Sequence, residues 1–223
     1  MQIGIDDFDE INGRFGLKCG DEILKQFSMC MQSCINENQK IYELGNGRFI
    51  IMDLANHSKE DILELYDELK KSVEVALEEN VYRVVYTISV GIVEIDKEMK
   101  DYDTLIKYSD FALNEAKKKG KNSCYFFTQD KYKQFIRRRE IRVELQNAVD
   151  HNFKNFDVYY QPIIDIHTRN LIGAEALMRF KMKRNEQIEF ISPAEFIPIL
   201  EESGLIIPAG RWILRQAVAC CKK

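Results

Sequence analysis

Between Asp157 and Phe180 the chain reads DVYYQPIIDIHTRNLIGAEALMRF, two strand-length runs around a short polar turn. The pattern predicts strands over Val158–Ile166 and Leu171–Phe180, joined by His167–Asn170. The first run is almost continuously apolar and aromatic, which predicts a strand buried on both faces. The second carries Glu175 inside an apolar run, with Arg179 four residues on. Residues an even number apart point to one side of a strand, so Glu175, Leu177 and Arg179 share a face. A buried acid and a buried base must pair or bind something, because an uncompensated buried charge is costly. The residues alone leave both readings open: a structural Glu175–Arg179 ion pair, or a site.

The remaining pattern is that of a two-domain protein. The 223 residues allow one large or two ordinary domains. A net charge of −4 gives no nucleic-acid footprint and no attraction to an anionic membrane. MQIGIDDFDE is acidic, unlike a signal peptide, and no apolar run reaches the length of a membrane span. The six cysteines form no Cys-x-x-Cys pair, and Cys30 and Cys34 lack a second ligand pair, so zinc is not indicated. Reduced thiols packed as small hydrophobes, in a cytoplasmic protein, are the expectation.

Ile3–Ile5 reads as the end of a strand entering an acidic loop, Asp6–Glu10. Cys19–Ile35 has helical spacing, with Asp21 in its first turn. Lys40–Leu44 and Arg48–Leu54 flank Gly45-Asn46-Gly47, a strong hairpin signal because Asn-Gly tolerates positive φ. Ser58 and Asp61 form a capping box for a helix. Val81–Ile95 is a long β-branched run broken by Gly91. Asp103 is expected to cap a helix that carries Lys117, Lys118 and Lys119 in its last turn and ends at Gly120. Ser123–Thr128 closes an antiparallel-rich sheet of order β-α-β-β-α-β-α-β, an α+β pattern. Residues 129–152 read as a linker helix carrying Arg137-Arg138-Arg139, either a solvated face or a phosphate contact. Ser192-Pro193-Ala194-Glu195 predicts an N-cap with a capping-box Glu, on a helix stopped by Gly204. A further helix follows Pro208, and the chain stops at Cys220-Cys221-Lys222-Lys223 while still helical. Two strands and two helices close no sheet, so a C-terminal truncation is expected.

Several segments together carry a resemblance. IGIDDFDEINGRFG, CGDEIL, TISVGI and YSDFALNEAKKKGKN resemble the GGDEF (diguanylate cyclase) family over residues 1–128. YYQPIID, GAEALMRF and SPAEFIPILEESGLI resemble the start of an EAL phosphodiesterase over residues 153–223. The chain thus resembles a tandem GGDEF–EAL protein of bacterial cyclic di-GMP signalling. The resemblance implies an α+β, nucleotide-cyclase-like mixed sheet, followed by the N-terminal part of an α/β TIM-type barrel, roughly a third of one. It also implies that the first domain is N-terminally truncated and the second C-terminally truncated.

In the GGDEF family two carboxylates hold the magnesium ions that bridge the GTP phosphates. Gly4 and Gly47 stand at those positions here, and Arg48 stands where the family has an acid. Magnesium needs anionic oxygen ligands, so the resemblance implies no cyclase activity. Asn12 and Asp21 match residues that bond the guanine edge, and Lys117 and Lys121 match triphosphate contacts. These allow GTP as a regulator; the bland alternatives are a loop residue, a helix-start acid and a helix C-terminus. Asn36-Glu37-Asn38-Gln39 stands in place of the family's Arg-x-x-Asp product-inhibition motif. In the EAL part, Glu175 matches a ligand to Mg²⁺ or Mn²⁺, and Gln161 and Arg179 match substrate contacts, Arg179 to a phosphate. The family's barrel site lies at C-terminal strand ends. The resemblance therefore implies a cyclic di-GMP phosphodiesterase with an inactive, regulatory first domain, and a segment that lacks turnover by itself. It admits a homodimer through the EAL domain and a membrane anchor before Met1. The alternative is a non-catalytic receptor for GTP and cyclic di-GMP that relays a signal to a partner.

Overall fold

The computed structural model describes residues 1–55, 57–78, 84–95, 101–184 and 186–221. It divides into two compact units, residues 1–132 and 133–223. The first contains β1 (Gln2–Ile5), α1 (Phe8–Phe15), α2 (Leu17–Cys34), β2 (Gln39–Gly45), β3 (Arg48–Asp53), α3 (Lys59–Glu78), β4 (Ile88–Ile92), α4 (Tyr102–Lys118) and β5 (Cys124–Phe126). Its strands lie in the order β2-β3-β1-β4-β5, antiparallel except for the parallel β4–β5 pair. Ile3 and Ile5 of β1 and Ile88 and Val90 of β4 are buried in one core with Ile23, Phe27 and Met31 of α2 and Leu69 and Val73 of α3. On β1's other face Gln2 donates to Asp110 and accepts from Ser109, both on α4.

The hairpin forms where Asn-Gly predicts it. Asn46 and Gly47 have φ of 52° and 68°, the paired positive values of a type I′ turn. The Ser58–Asp61 capping box is complete: Ser58 N donates to the Asp61 carboxylate at 2.8 Å, and Asp61 N to Ser58 Oγ at 3.1 Å.

Four expectations for this unit are corrected. The acidic loop Asp6–Glu10 is only a two-residue turn. Asp7 takes a left-handed conformation (φ 55°), and α1 begins at Phe8, burying Phe8 and Ile11. Asp9 and Glu10 then lie in its first turn, favourable for the helix dipole. Asp21 lies past the first turn of α2, because that helix starts at Leu17. Among its described residues, the run Val81–Ile95 is paired only over Ile88–Ile92. β1 is four residues long, and its ladder with β4 ends at Ile5↔Ile88; residues 81–83 lie outside the described residues. Asp101 rather than Asp103 caps α4, its carboxylate accepting from Asp103 N and Thr104 N at 3.2 Å each.

The second unit contains most of α5 (Gln129–Asp150), then β6 (Phe156–Ile164), β7 (Leu171–Arg184), β8 (Gln187–Ile191), α6 (Pro193–Glu202) and α7 (Ile206–Cys221). β7 pairs antiparallel with both β6 and β8. Its core joins Ile141, Leu145 and Ala148 of α5 to Phe156, Met178, Phe180, Met182 and Ile191 of the sheet and to Phe196, Ile199 and Leu200 of α6. The strand Gln187–Ile191 was not expected, although Gln-Ile-Glu-Phe-Ile alternates. β6 is not buried on both faces: Tyr159–Ile164 are exposed, because the core gathers at the Phe156 and Phe180 end of the hairpin. Glu195 completes no capping box. It takes Arg137 instead, which also pairs with Glu189, while Arg138 pairs with Glu202. Arg137 is therefore a half-buried ion-pair centre rather than a solvated face, while Arg138 stays exposed in its pair with Glu202. Glu195, then Glu189, raises the Arg137 pKa above the usual guanidinium value.

Gly91 explains the break in the long β-branched run. A Cβ there would lie 2.3 Å from Leu113 N and 2.8 Å from Ser109 O, both backbone atoms of α4. Gly91→Ala is expected to destabilise the first unit by about 3 kcal/mol, since a helix backbone cannot move aside cheaply. Urea unfolding of the 223-residue chain measures it; a loss below about 1 kcal/mol would contradict this contact.

Candidate functional site

In the first unit the residues of interest gather at the β1–α1 turn. Asp6 is 3% exposed, yet its carboxylate has three donors: Thr87 Oγ1 at 2.7 Å, Ser89 Oγ at 2.8 Å and Asn122 N at 3.1 Å. Such a buried charge is tolerable only when it is hydrogen-bonded in this way. Thr87 and Ser89 share a face because they are two residues apart along the strand direction. Asp7 takes both carboxylate bonds from Lys121 Nζ, at 2.6 and 2.7 Å. That hydrogen bonding raises the Lys121 pKa. Asp110 accepts from Gln2 at 2.6 Å and pairs with Arg48 at 3.4 Å.

Gly4 and Gly47 differ in what fills the space beside them. A Cβ on Gly4 would lie 3.1 Å from Lys117 Nζ and 3.2 Å from Leu113 Cδ2. The Lys117 ammonium thus lies against β1, donating to Ile5 O at 3.5 Å. A Cβ on Gly47 would lie 2.7 Å from Cγ of Phe8, so the Phe8 ring covers that turn. Neither glycine offers an oxygen from its side chain, and the nearby carboxylates Asp6 and Asp7 already have protein donors. The donor set does not fit a magnesium ion between Gly4 and Gly47. Among the described residues no group of three or more His, Cys, Asp and Glu side chains could hold a metal.

Asn12 and Asp21 lie apart from the lysines along the chain, on α1 and α2. Asn12 is helical, not a loop residue. Its Oδ1 is buried without a hydrogen-bond partner and would lie 1.9 Å from a Cβ on Gly20. Gly20, the residue before Asp21, thus provides the room for the Asn12 amide. Asp21 is exposed. A hollow of about 340 Å³ is lined by Asp6, Asp7, Glu10, Arg14, Tyr86 and Thr87, among others, and Asn12, Asp21, Lys117 and Lys121 are not among its lining residues.

In the second unit the register of β6 and β7 sets Gln161 opposite Glu175 and Asp157 opposite Arg179. All four side chains share one face of the hairpin. Glu175 and Gln161 are exposed. Arg179 is half-buried; it donates to Met178 O at 2.9 Å and stacks over the Tyr159 ring at 5.4 Å. Glu175 and Arg179 form no ion pair, because four residues of strand separate them by about 13 Å. Asp157 pairs with Lys181 at 2.9 Å. Because the strands are antiparallel, Gln161 sits towards the C-terminal end of β6 but Glu175 in the N-terminal half of β7. The pair offers two oxygen donors to a hard cation, a partial set.

Residues 1–123 match the family model described as diguanylate cyclase, GGDEF domain, and residues 142–223 match the EAL domain model. Among curated relatives, cyclic di-GMP phosphodiesterase PdeR of Escherichia coli is 26% identical over 98% of this chain and 32% of its own length. The bifunctional diguanylate cyclase/cyclic di-GMP phosphodiesterase MucR of Pseudomonas aeruginosa is 25% identical over 96% of this chain and 30% of its own. The chain thus spans about a third of the length of these relatives. The solved GGDEF domain of TpbB (YfiN) from P. aeruginosa superposes with a TM-score of 0.51 at 24% identity, covering 57% of this chain and 74% of that one. That likeness is one of fold. No described helix is long and apolar enough to cross a membrane.

The covering of Gly47 is testable. Gly47→Ala puts a Cβ against the Phe8 ring and into a left-handed conformation, and is expected to cost about 2 kcal/mol. Adding Phe8→Ala should make the pair of changes less than additive, by about 0.5 kcal/mol or more in a double-mutant cycle. Additivity would show that Phe8 does not crowd the turn.

Proposed function

The chain belongs to the GGDEF domain family through residues 1–123 and matches the EAL domain after them, and from that pairing we propose that it is part of a cyclic di-GMP phosphodiesterase whose first domain regulates rather than cyclises. The phosphodiesterase named among its relatives supports the activity. The observation that carries the regulatory reading is the Lys117 ammonium 3.1 Å from the Cβ position of Gly4, where the family needs a metal-binding acid. Gly47 repeats the loss at the second metal position, under the Phe8 ring. A cyclase must neutralise the triphosphate charge that develops in transfer, and these positions bring no acid to hold the ions that do so.

In the EAL part, Glu175 would hold the Mg²⁺ or Mn²⁺ ion, together with ligands from the rest of the barrel. When bound, such an ion lowers the pKa of a water and polarises a phosphoryl oxygen. Gln161, opposite Glu175 in the register, would orient the substrate. Arg179 would grip a phosphate of cyclic di-GMP with its planar fork, its plane already set by the Tyr159 ring. Asn12, Asp21, Lys117 and Lys121 would admit GTP to the first domain as a regulator. A homodimer through the EAL part fits the same reading.

In the whole protein, Glu175→Ala is expected to lower Mn²⁺-dependent conversion of cyclic di-GMP to the linear dinucleotide by about a hundredfold or more. GTP should yield no cyclic di-GMP. Chromatography of both reactions decides: unchanged turnover removes Glu175 from the site, and cyclic product from GTP overturns the inactive first domain.

A further inference from the structure

Two cations and one acid meet on the Gln161 and Glu175 face of the β6–β7 hairpin. Asp157 stands directly opposite Arg179 in the register, and Lys181 follows two residues along β7 on the same face. Opposite charges directly across an antiparallel pair attract, so Arg179 is the expected partner of Asp157. The structure pairs them differently. Lys181 takes Asp157, its ammonium 2.9 Å from the carboxylate. Arg179 forms no ion pair among the described residues and leans the other way, over the Tyr159 ring. Tyr159 is opposite Leu177, which makes it the diagonal neighbour of Arg179, as Lys181 is of Asp157. Two diagonal contacts thus replace one direct ion pair. Of the guanidinium donors, Nη1 is taken by Met178 O, and no carboxylate among the described residues takes the others.

We propose that Lys181 is a positioning residue for the phosphate contact of Arg179: by occupying Asp157 it keeps that acid from capturing the guanidinium. This rests on the reading of Gln161, Glu175 and Arg179 as the cyclic di-GMP site. The mechanism is competition. A carboxylate and a phosphate use the same planar fork of an arginine, so an Arg179 bound to Asp157 would have to break that pair before it took a phosphate. Lysine suits the blocking role, because its ammonium is a point charge that needs no planar match. The Tyr159 ring completes the arrangement. Its face attracts the cation without occupying the N–H donors at the edge of the guanidinium. Arg179 is thereby held in place while its fork stays open.

A spectroscopic signature and a binding series test this together. In the 223-residue chain the Arg179 Nε–H NMR resonance senses the ring current of Tyr159. Lys181→Gln should move that resonance, as the guanidinium turns to the freed Asp157, and adding Asp157→Asn should return it. In the whole protein, Lys181→Gln should weaken cyclic di-GMP binding and raise KM by about threefold or more, with kcat within about twofold, and the added Asp157→Asn should restore both. Tyr159→Leu should weaken binding by about threefold, and Tyr159→Phe, which keeps the ring, should not. Thermal melts matching the unaltered protein show that each variant folds, and Lys181→Met, which keeps most of the stem, replaces Lys181→Gln if that one does not. An unmoved Arg179 resonance, or a loss of affinity that Asp157→Asn leaves in place, overturns the role of Lys181, since a lysine acting only by its charge gives those results. Unchanged affinity in Lys181→Gln overturns it too, while turnover leaves the phosphodiesterase reading standing. Binding without turnover, with the same affinity series, supports the role of Lys181 and removes the phosphodiesterase reading. No binding of cyclic di-GMP by the whole protein overturns both.

Discussion

Asp6 holds the first unit's functional end together. A carboxylate this deeply buried needs several donors, and its three come from two separate pieces of chain: Thr87 and Ser89 at β4, and the turn after α4. The bond from Asn122 pins that turn, where Lys121 and Asn122 both have positive φ. With the turn pinned, Lys121 reaches Asp7 and the end of α4 is drawn along β1, which brings Lys117 to Gly4. The charge arrangement is thus a consequence of one buried hydrogen-bonded acid. Without those donors Asp6 would be an uncompensated buried charge, costing several kcal/mol.

That arrangement gives the two units different chemistry. In the first, the acids are held by protein donors and an ammonium lies against the glycine of β1. In the second, an exposed acid stands opposite an amide oxygen on a strand pair, and the nearest arginine is held over an aromatic ring. That face offers oxygen donors to a cation and a guanidinium to a phosphate.

Much of this was legible in the sequence wherever local chemistry decides. Asn46-Gly47 announces its turn because positive φ at both positions is cheap for those residues alone. Ser58 and Asp61 announce a helix start because each bonds the other's backbone. Glu195 has the same spacing from Ser192, yet Arg137, far away in sequence, takes it; an ion pair between distant residues outcompetes a local cap and leaves no local signal. The length of β4 was illegible for a related reason, since β1 sets where the ladder ends. The expectation of a doubly buried β6 failed because apolar composition does not say what covers a strand. Gly4 and Gly47 were legible as missing acids, but not that Lys117 and Phe8 fill the space beside them, which takes the packing of α4 and α1.

The central claim is that an ammonium, not a metal ion, holds the place beside Gly4. Lysine-selective ¹³C NMR of the 223-residue chain follows the Lys117 Cε resonance directly. Mn²⁺ should leave it unbroadened. Broadening of that resonance by Mn²⁺ would place a metal ion there and contradict the account.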